Sequence, residues 1–347
     1  MKVLRLILFP FIPVYAVVIC FRNYLFDKNF FKEKKVNAKV ISVGNISVGG
    51  SGKTPLVIYL CELIKKNGYK IGVLSRGYRR KTKGYLLVSD GNNILTKVEN
   101  SGDEIFQTAK DCKIPAAVAE NRFEGAGKFI KDTNINTLIL DDAFQHRWIK
   151  REINLLIFEQ GFLFNSSLLN QALLPAGNMR EPFSSVKRAD AIILNRKFSD
   201  MKEVPSEILR HFKNKKIFTA SYKATEFTDV INKTSYSLEE FSGQKSLIVS
   251  GVANPDSFIN ALKKFNINIT NRIIFVDHKS YSFKEIQQIR RKFYSTNSNS
   301  VVTTEKDAVK LSSFSKELDD IDIFYLKIEM KMDQEETFIS FIKNSLN

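Results

Sequence analysis

The chain has 347 residues, 44% of them apolar, and its 53 Lys and Arg against 37 Asp and Glu leave a formal net charge of +16. At roughly 100 to 200 residues per domain this length predicts two domains, and the apolar share excludes a wholly disordered chain. Three unclustered cysteines, Cys20, Cys61 and Cys112, argue against a disulfide framework or a zinc site and fit a reducing cytosol, while the positive charge requires an acidic partner: nucleic acid, anionic lipid or a phosphorylated substrate.

Residues 3–21, VLRLILFPFIPVYAVVICF, are almost wholly apolar and are followed by Arg22, Lys28, Lys32, Lys34 and Lys35. Their uncharged part, 6–21, is shorter than the ~20 residues of a spanning helix, and Pro10 and Pro13 interrupt it. No small-x-small cleavage site follows, which argues against a removed signal peptide. The expectation is a peripheral or half-inserted membrane anchor, with a true span and a buried helix as the alternatives.

From residue 36 short apolar runs alternate with helical patterns. Strands are predicted at 38–43, 71–75, 137–140, 153–158 and 190–195, which implies a parallel sheet covered by helices, with chemistry just beyond the strand ends. The first run leads into Ser47-Val48-Gly49-Gly50-Ser51-Gly52-Lys53-Thr54-Pro55 and a helix predicted over 56–66. This is a phosphate cradle: glycines let the backbone turn its N–H groups to a polyphosphate, Lys53 reaches the β and γ phosphates, and Thr54 offers a hydroxyl to Mg²⁺. Ser47 stands where the usual pattern has Gly or Ala. Residues 47–54 are the predicted ATP-binding set.

Ser75-Arg-Gly-Tyr-Arg-Arg-Lys81 is a basic, glycine-broken loop at a strand end, suited to phosphate, although such charge runs are often only solvated. Gly102-Asp-Glu-Ile105 opens a helix with carboxylates in its first turn, where acids also simply complement the dipole. Arg122 is a further candidate phosphate contact. Leu138-Ile-Leu-Asp-Asp142 is a strand ending in acids, the arrangement by which nucleotide-binding sheets hold Mg²⁺; Gln145 and His146 follow at once, and a lone His is more often structural than catalytic. Leu174-Pro-Ala-Gly-Asn-Met-Arg-Glu-Pro182 sets Arg180 and Glu181 between prolines. Composition turns polar between Lys213 and Gln244, and a second α/β pattern begins at Ser246, with strand ends at Asp277-His278 and at Thr303-Thr-Glu-Lys-Asp307.

In series, VGNISVGGSGKTP, LSRGYRR, GDE, DDAFQH, LLPAGNMREP, GVANPDSF, DHKSYSF and TTEKDAVKL, spread over 43–311, resemble the tetraacyldisaccharide 4'-kinases of lipid A biosynthesis. The resemblance implies transfer of the ATP γ-phosphate to the 4'-hydroxyl of an acylated glucosamine disaccharide 1-phosphate at the cytoplasmic face of the bacterial inner membrane. It further implies Asp103 and His278 as a catalytic dyad, Asp103 accepting the hydroxyl proton. Mg²⁺ would be held by Thr54 and Asp142, with Asp141 and Gln145 close by. Arg76, Tyr78, Glu104, Arg122, Arg180 and Glu181 would contact substrate. The expected architecture is an α/β, P-loop NTPase-like parallel sheet flanked by helices, with a smaller second α/β domain and an N-terminal apolar membrane-contact helix. Its expected boundaries are 1–35 for the anchor, 36–225 for the kinase domain, 226–245 for a linker and 246–347 for a lid. ATP and Mg²⁺ are the expected cofactors, and the membrane surface and the lipid the expected partners, with no nucleic acid and no obligate protein partner. The rival reading is a membrane-associated P-loop ATPase switch without a sugar-lipid substrate.

Overall fold

The computed structural model describes residues 5, 7–164, 167–252, 254–277 and 279–346. The chain forms two compact units, Met1–Ser221 with Lys331–Asn347, and Tyr222–Met330.

Among the described residues the first unit is built on β1 (Lys39–Gly44), β2 (Ile71–Ser75), β3 (Leu86–Asp90), β4 (Pro115–Val118), β5 (Thr137–Leu140), β6 (Ile153–Glu159), β7 (Ala191–Asn195) and the first part of β8 (Lys216–Asp229). Their order is β8-β7-β6-β1-β5-β2-β4-β3. All neighbours run parallel except β3, which pairs antiparallel with β4 at the edge. Near-continuous apolar runs suit strands covered on both faces, and β1 from Val40 onward and all of β7 are buried. Because β1, β2, β5 and β7 are parallel, the loops after them emerge on one side of the sheet. That side is where the phosphate-type motifs lie.

Helix α1 (Ile12–Asp27) follows a 3-10 turn at Phe9–Phe11. Pro13 falls in the opening turn of α1, where a missing N–H is no loss, so the prolines start the helix instead of interrupting it. Helices α2 (Lys53–Lys66), α3 (Asp103–Cys112) and α4 (Arg122–Thr133) follow β1, precede β4 and precede β5 respectively. The C-terminal helix Glu335–Leu346 also belongs here: Phe338 is fully buried, with its ring centroid 4.9 Å from that of Phe218 and 6.0 Å from that of Tyr59. These aromatic contacts draw the tail away from the 246–347 domain expected from sequence.

In the second unit β10 (Ser246–Ser250) pairs in parallel with β11 (Arg272–Ile274) and β12 (Ser300–Thr304), and β12 with β13 (Ile323–Met332). A short strand β9 (Ser235–Tyr236) pairs antiparallel with the end of β8. Helices α5 (Pro255–Lys264) and α6 (Phe283–Ser295) accompany this sheet, and Leu247, Val249, Ile286, Ile289 and Val301 form its core. The expected linker 226–245 is therefore structured, and the chain passes between units inside β8 and β13.

Candidate active site

The loop after β1 is held in shape by hydrogen bonds from elsewhere in the first unit. Val48 N donates to Asn178 O at 2.7 Å and Arg180 N to Ile46 O at 2.7 Å, so 46–48 is zipped to the LLPAGNMREP loop. Ser51 is pinned twice: its hydroxyl accepts from Asn45 Nδ2 and its carbonyl from Asn195 Nδ2, each at 3.0 Å. Gly49 and Gly52 have φ of 108° and 99°, left-handed values that other residues adopt only with strain. Gly52 thereby becomes the N-cap and α2 opens at Lys53, three residues before the predicted start. First-turn amides have no acceptor within their own helix, and together with the helix dipole they make this end an anion site. Val48, Gly49 and Gly50 are exposed, whereas Ser47, Ser51 and Thr54 are buried.

The acids after β5 take opposite characters. Asp142 lies 3.6 Å from Lys53 Nζ, and both its oxygens accept from Arg180 Nη1, at 3.0 and 2.9 Å. Burial would raise its pKa, but Lys53 and Arg180 prevail and hold the carboxyl far below the usual range. Asp141 is 2% exposed and its Oδ1 has no hydrogen-bond partner among the described residues. Burial, then the charges of Glu104 and Asp142, push its carboxyl up to about 7. Arg122, the first residue of α4, is buried and donates to the Asp141 carbonyl at 3.1 Å. It braces this turn from behind.

Gln145 Nε2 donates to Asn45 O at 2.9 Å, which ties the DDAFQH turn to the start of the phosphate-type loop. Burial and the cations Arg122 and Arg151 push His146 down to about 3, so it is neutral at pH 7. Arg151 holds this turn by donating to the carbonyls of Ala143 (2.7 Å) and His146 and to Asn154 Oδ1 (2.9 Å). Burial lowers its pKa to about 9, leaving it charged at neutral pH.

Asp103 and Glu104 open α3, and Asp103 Oδ1 accepts from Glu104 N at 3.0 Å. Glu104 is near enough for its charge to raise Asp141, and Arg76, exposed just after β2, is near enough to lower Arg122. Tyr78 is 57% exposed with the Arg79 guanidinium 5.5 Å from its ring. Glu181, expected to line the substrate site, is instead fully enclosed: it accepts from Arg188 Nη2, Ser185 Oγ and Asn23 Nδ2 at 2.8 Å each. It is a brace of its loop. His278 lies outside the described residues, so the dyad expected with Asp103 has no geometry here.

Sequence reasoning missed the part that α1 plays at this site. Tyr15 Oη donates to Arg180 O at 2.9 Å and Arg22 Nη2 to Gln145 O at 2.5 Å, and Arg5, ahead of the helix, donates from Nη2 to Asn178 Oδ1 at 3.0 Å. Asp27 pairs with Arg147 and Lys187, each at 2.9 Å. Tyr15, Arg22, Asn23 and Phe26 thus share a face turned to the protein. Val14, Val17, Val18 and Phe21, at i, i+3, i+4 and i+7, are 58–67% exposed on the other. The buried-helix alternative fails on that exposure.

Mg²⁺ takes one or two protein oxygens and otherwise phosphate and water. The unpartnered Asp141 Oδ1 and the Thr54 hydroxyl suit it. Asp142, expected from sequence as the carboxylate ligand, is occupied by two cations.

The family model for tetraacyldisaccharide-1-P 4'-kinase matches residues 4–347. The chain is 35% identical over 336 residues to the tetraacyldisaccharide 4'-kinase of Aquifex aeolicus (strain VF5), covering 96% of each chain. It is 36% identical over 337 residues to that of Flavobacterium psychrophilum, covering 95% of this chain and 93% of the relative. A crystal structure of LpxK from Aquifex aeolicus in complex with ATP superposes with a TM-score of 0.81 at 32% identity, over 99% of this chain and 100% of the other.

Proposed function

The chain belongs to the tetraacyldisaccharide-1-P 4'-kinase family, and from that premise we propose the roles its residues play in catalysis. It is an ATP-dependent kinase of lipid A biosynthesis that phosphorylates the 4'-hydroxyl of a tetraacyldisaccharide 1-phosphate. The observation that carries the site assignment is the Lys53–Asp142–Arg180 cluster beside the Gly49–Gly52 loop.

The amides of that loop and the first turn of α2 grip the β and γ phosphates. Lys53 is held 3.6 Å from Asp142 and turns from that carboxylate to the phosphate oxygens when ATP enters; Arg180 then keeps Asp142 neutralised. Phosphoryl transfer needs chiefly positioning and charge neutralisation. Lys53 and exposed Arg76 supply the positive charge, while Arg180 stays with Asp142 and Arg122 stays as a brace. Thr54 and Asp141 would hold Mg²⁺, which would supply further neutralisation of phosphate charge. Asp103 takes the proton as the 4'-oxygen bonds to the γ-phosphorus, and the bond from that phosphorus to the β,γ-bridging oxygen breaks to release ADP. Glu104 and Tyr78 border the acceptor sugar.

The exposed apolar stripe of α1 supports a surface-seated helix at the cytoplasmic face of the inner membrane. A helix bound to its own protein along one face lies in an interface more readily than it crosses a bilayer. Substrate acyl chains then stay in lipid while the sugar reaches the loops that α1 holds.

The test of these roles is Asp103→Asn. It is expected to lower kcat by roughly 10²-fold or more with little change in ATP affinity; near-normal turnover, or a loss confined to ATP binding, removes Asp103 as the base.

A further inference from the structure

Between β11 and α6 in the second unit lies a groove of about 760 Å³. Arg272 and Ile274 form one wall, and Lys284, Gln288, Arg291 and Lys292 the other. The second set follows helical spacing, i, i+4, i+7 and i+8, so one face of α6 is basic while its opposite face buries Ile286, Ile289 and Phe293. No acid lines the groove, and none of Arg272, Lys284, Arg291 and Lys292 has a carboxylate within 4 Å among the described residues. Arg290, one position away on α6, is by contrast paired with Asp320. β11 is only three residues long and is an edge strand, so the groove is open along one side. Where β11 passes to α6, Val276 is 73% exposed and Phe283 63% exposed.

We propose that this groove is a second lipid-contact surface, one that takes the phosphate headgroups of anionic phospholipids while Val276 and Phe283 dip among the acyl chains. Charge selects the occupant: four unpaired cations in an open groove, beside bare apolar side chains, match a surface that is anionic outside and hydrocarbon within. A soluble anion would use the cations and leave Val276 and Phe283 without purpose. The choice of a lipid occupant also rests on the proposed membrane location. The groove differs from α1 in depending on charge, and this makes the two separable.

The experiment is flotation of the full chain with phosphatidylcholine vesicles and with vesicles in which a quarter of the lipid is phosphatidylglycerol. Near a surface each basic residue contributes about fivefold, so Arg291→Glu with Lys292→Glu should lose roughly tenfold or more of the preference for anionic vesicles. Binding to neutral vesicles and transfer to detergent-dispersed substrate should be unchanged. A double variant with wild-type affinity for anionic vesicles overturns the proposal. Should the reversed pair melt early, Arg291→Gln with Lys292→Gln is measured instead, and an undiminished anionic preference there overturns it equally. Val17→Asp with Phe21→Asp reports separately on α1, because loss of binding to neutral vesicles tests the anchor and not the groove.

Discussion

Asp141 is placed where stability and chemistry oppose each other. Its carboxyl is raised to about 7 in the folded chain, against about 4 unfolded. The folded state therefore holds the proton more tightly, and the stability linked to this group is present below about pH 4 and lost as pH rises through about 7. Asp141→Asn is accordingly expected to melt higher than the parent at pH 8, by on the order of 1 kcal/mol or more, and to match it more closely at pH 4, while transferring phosphate poorly. Melting curves at the two pH values check this; a variant less stable at pH 8 would mean that the carboxylate is already compensated. Glu181 behaves in the other way. Removing its charge with Glu181→Gln leaves Arg188 buried without its partner, which should lower stability by about 3 kcal/mol, measured by denaturant unfolding. Its sequence setting, an acid between prolines beside Arg180, reads as a ligand position because nothing local shows that Arg188, seven residues on, folds back to it or that Asn23, 158 positions away, meets it.

Among the elements, β1 and α2 were legible because glycine spacing, a Lys-Thr pair and an apolar run are all local signals. β8 was not. Its fourteen residues, KIFTASYKATEFTD, lie in a stretch whose overall polarity reads as a domain junction; that polarity masks their period-two alternation, a strand signal, and pairing with β7 and β9 makes them a strand. α1 was legible as apolar, yet its inward face was not, since Tyr15, Arg22 and Asn23 meet partners more than 120 positions away. That inward face leads to a prediction. Arg22→Ala should lower turnover by roughly tenfold even on detergent-dispersed substrate, because the DDAFQH turn loses the donor to Gln145 O. A change visible only with vesicles would confine α1 to anchoring.

For the whole molecule, length indicated two units and net charge an acidic partner, but neither could place the boundary between the units. The division falls inside two strands, and the tail returns to the first unit through Phe338. The net charge of +16 should make vesicle-dependent activity fall as salt rises, since exposed charges are screened beyond ~8 Å at physiological ionic strength. Constant activity up to high salt would reduce those charges to solubilising ones. The proposed delivery of the γ-phosphate by Lys53 and its neighbours to a lipid-borne sugar hydroxyl is measured by following γ-labelled ATP with vesicles carrying tetraacyldisaccharide 1-phosphate, counting label in chloroform-soluble bisphosphate and in free phosphate together. Label is expected to enter the lipid with the parent chain and neither product with Lys53→Ala; label released only as free phosphate by the parent, or lipid labelling undiminished by Lys53→Ala, would rule that delivery out.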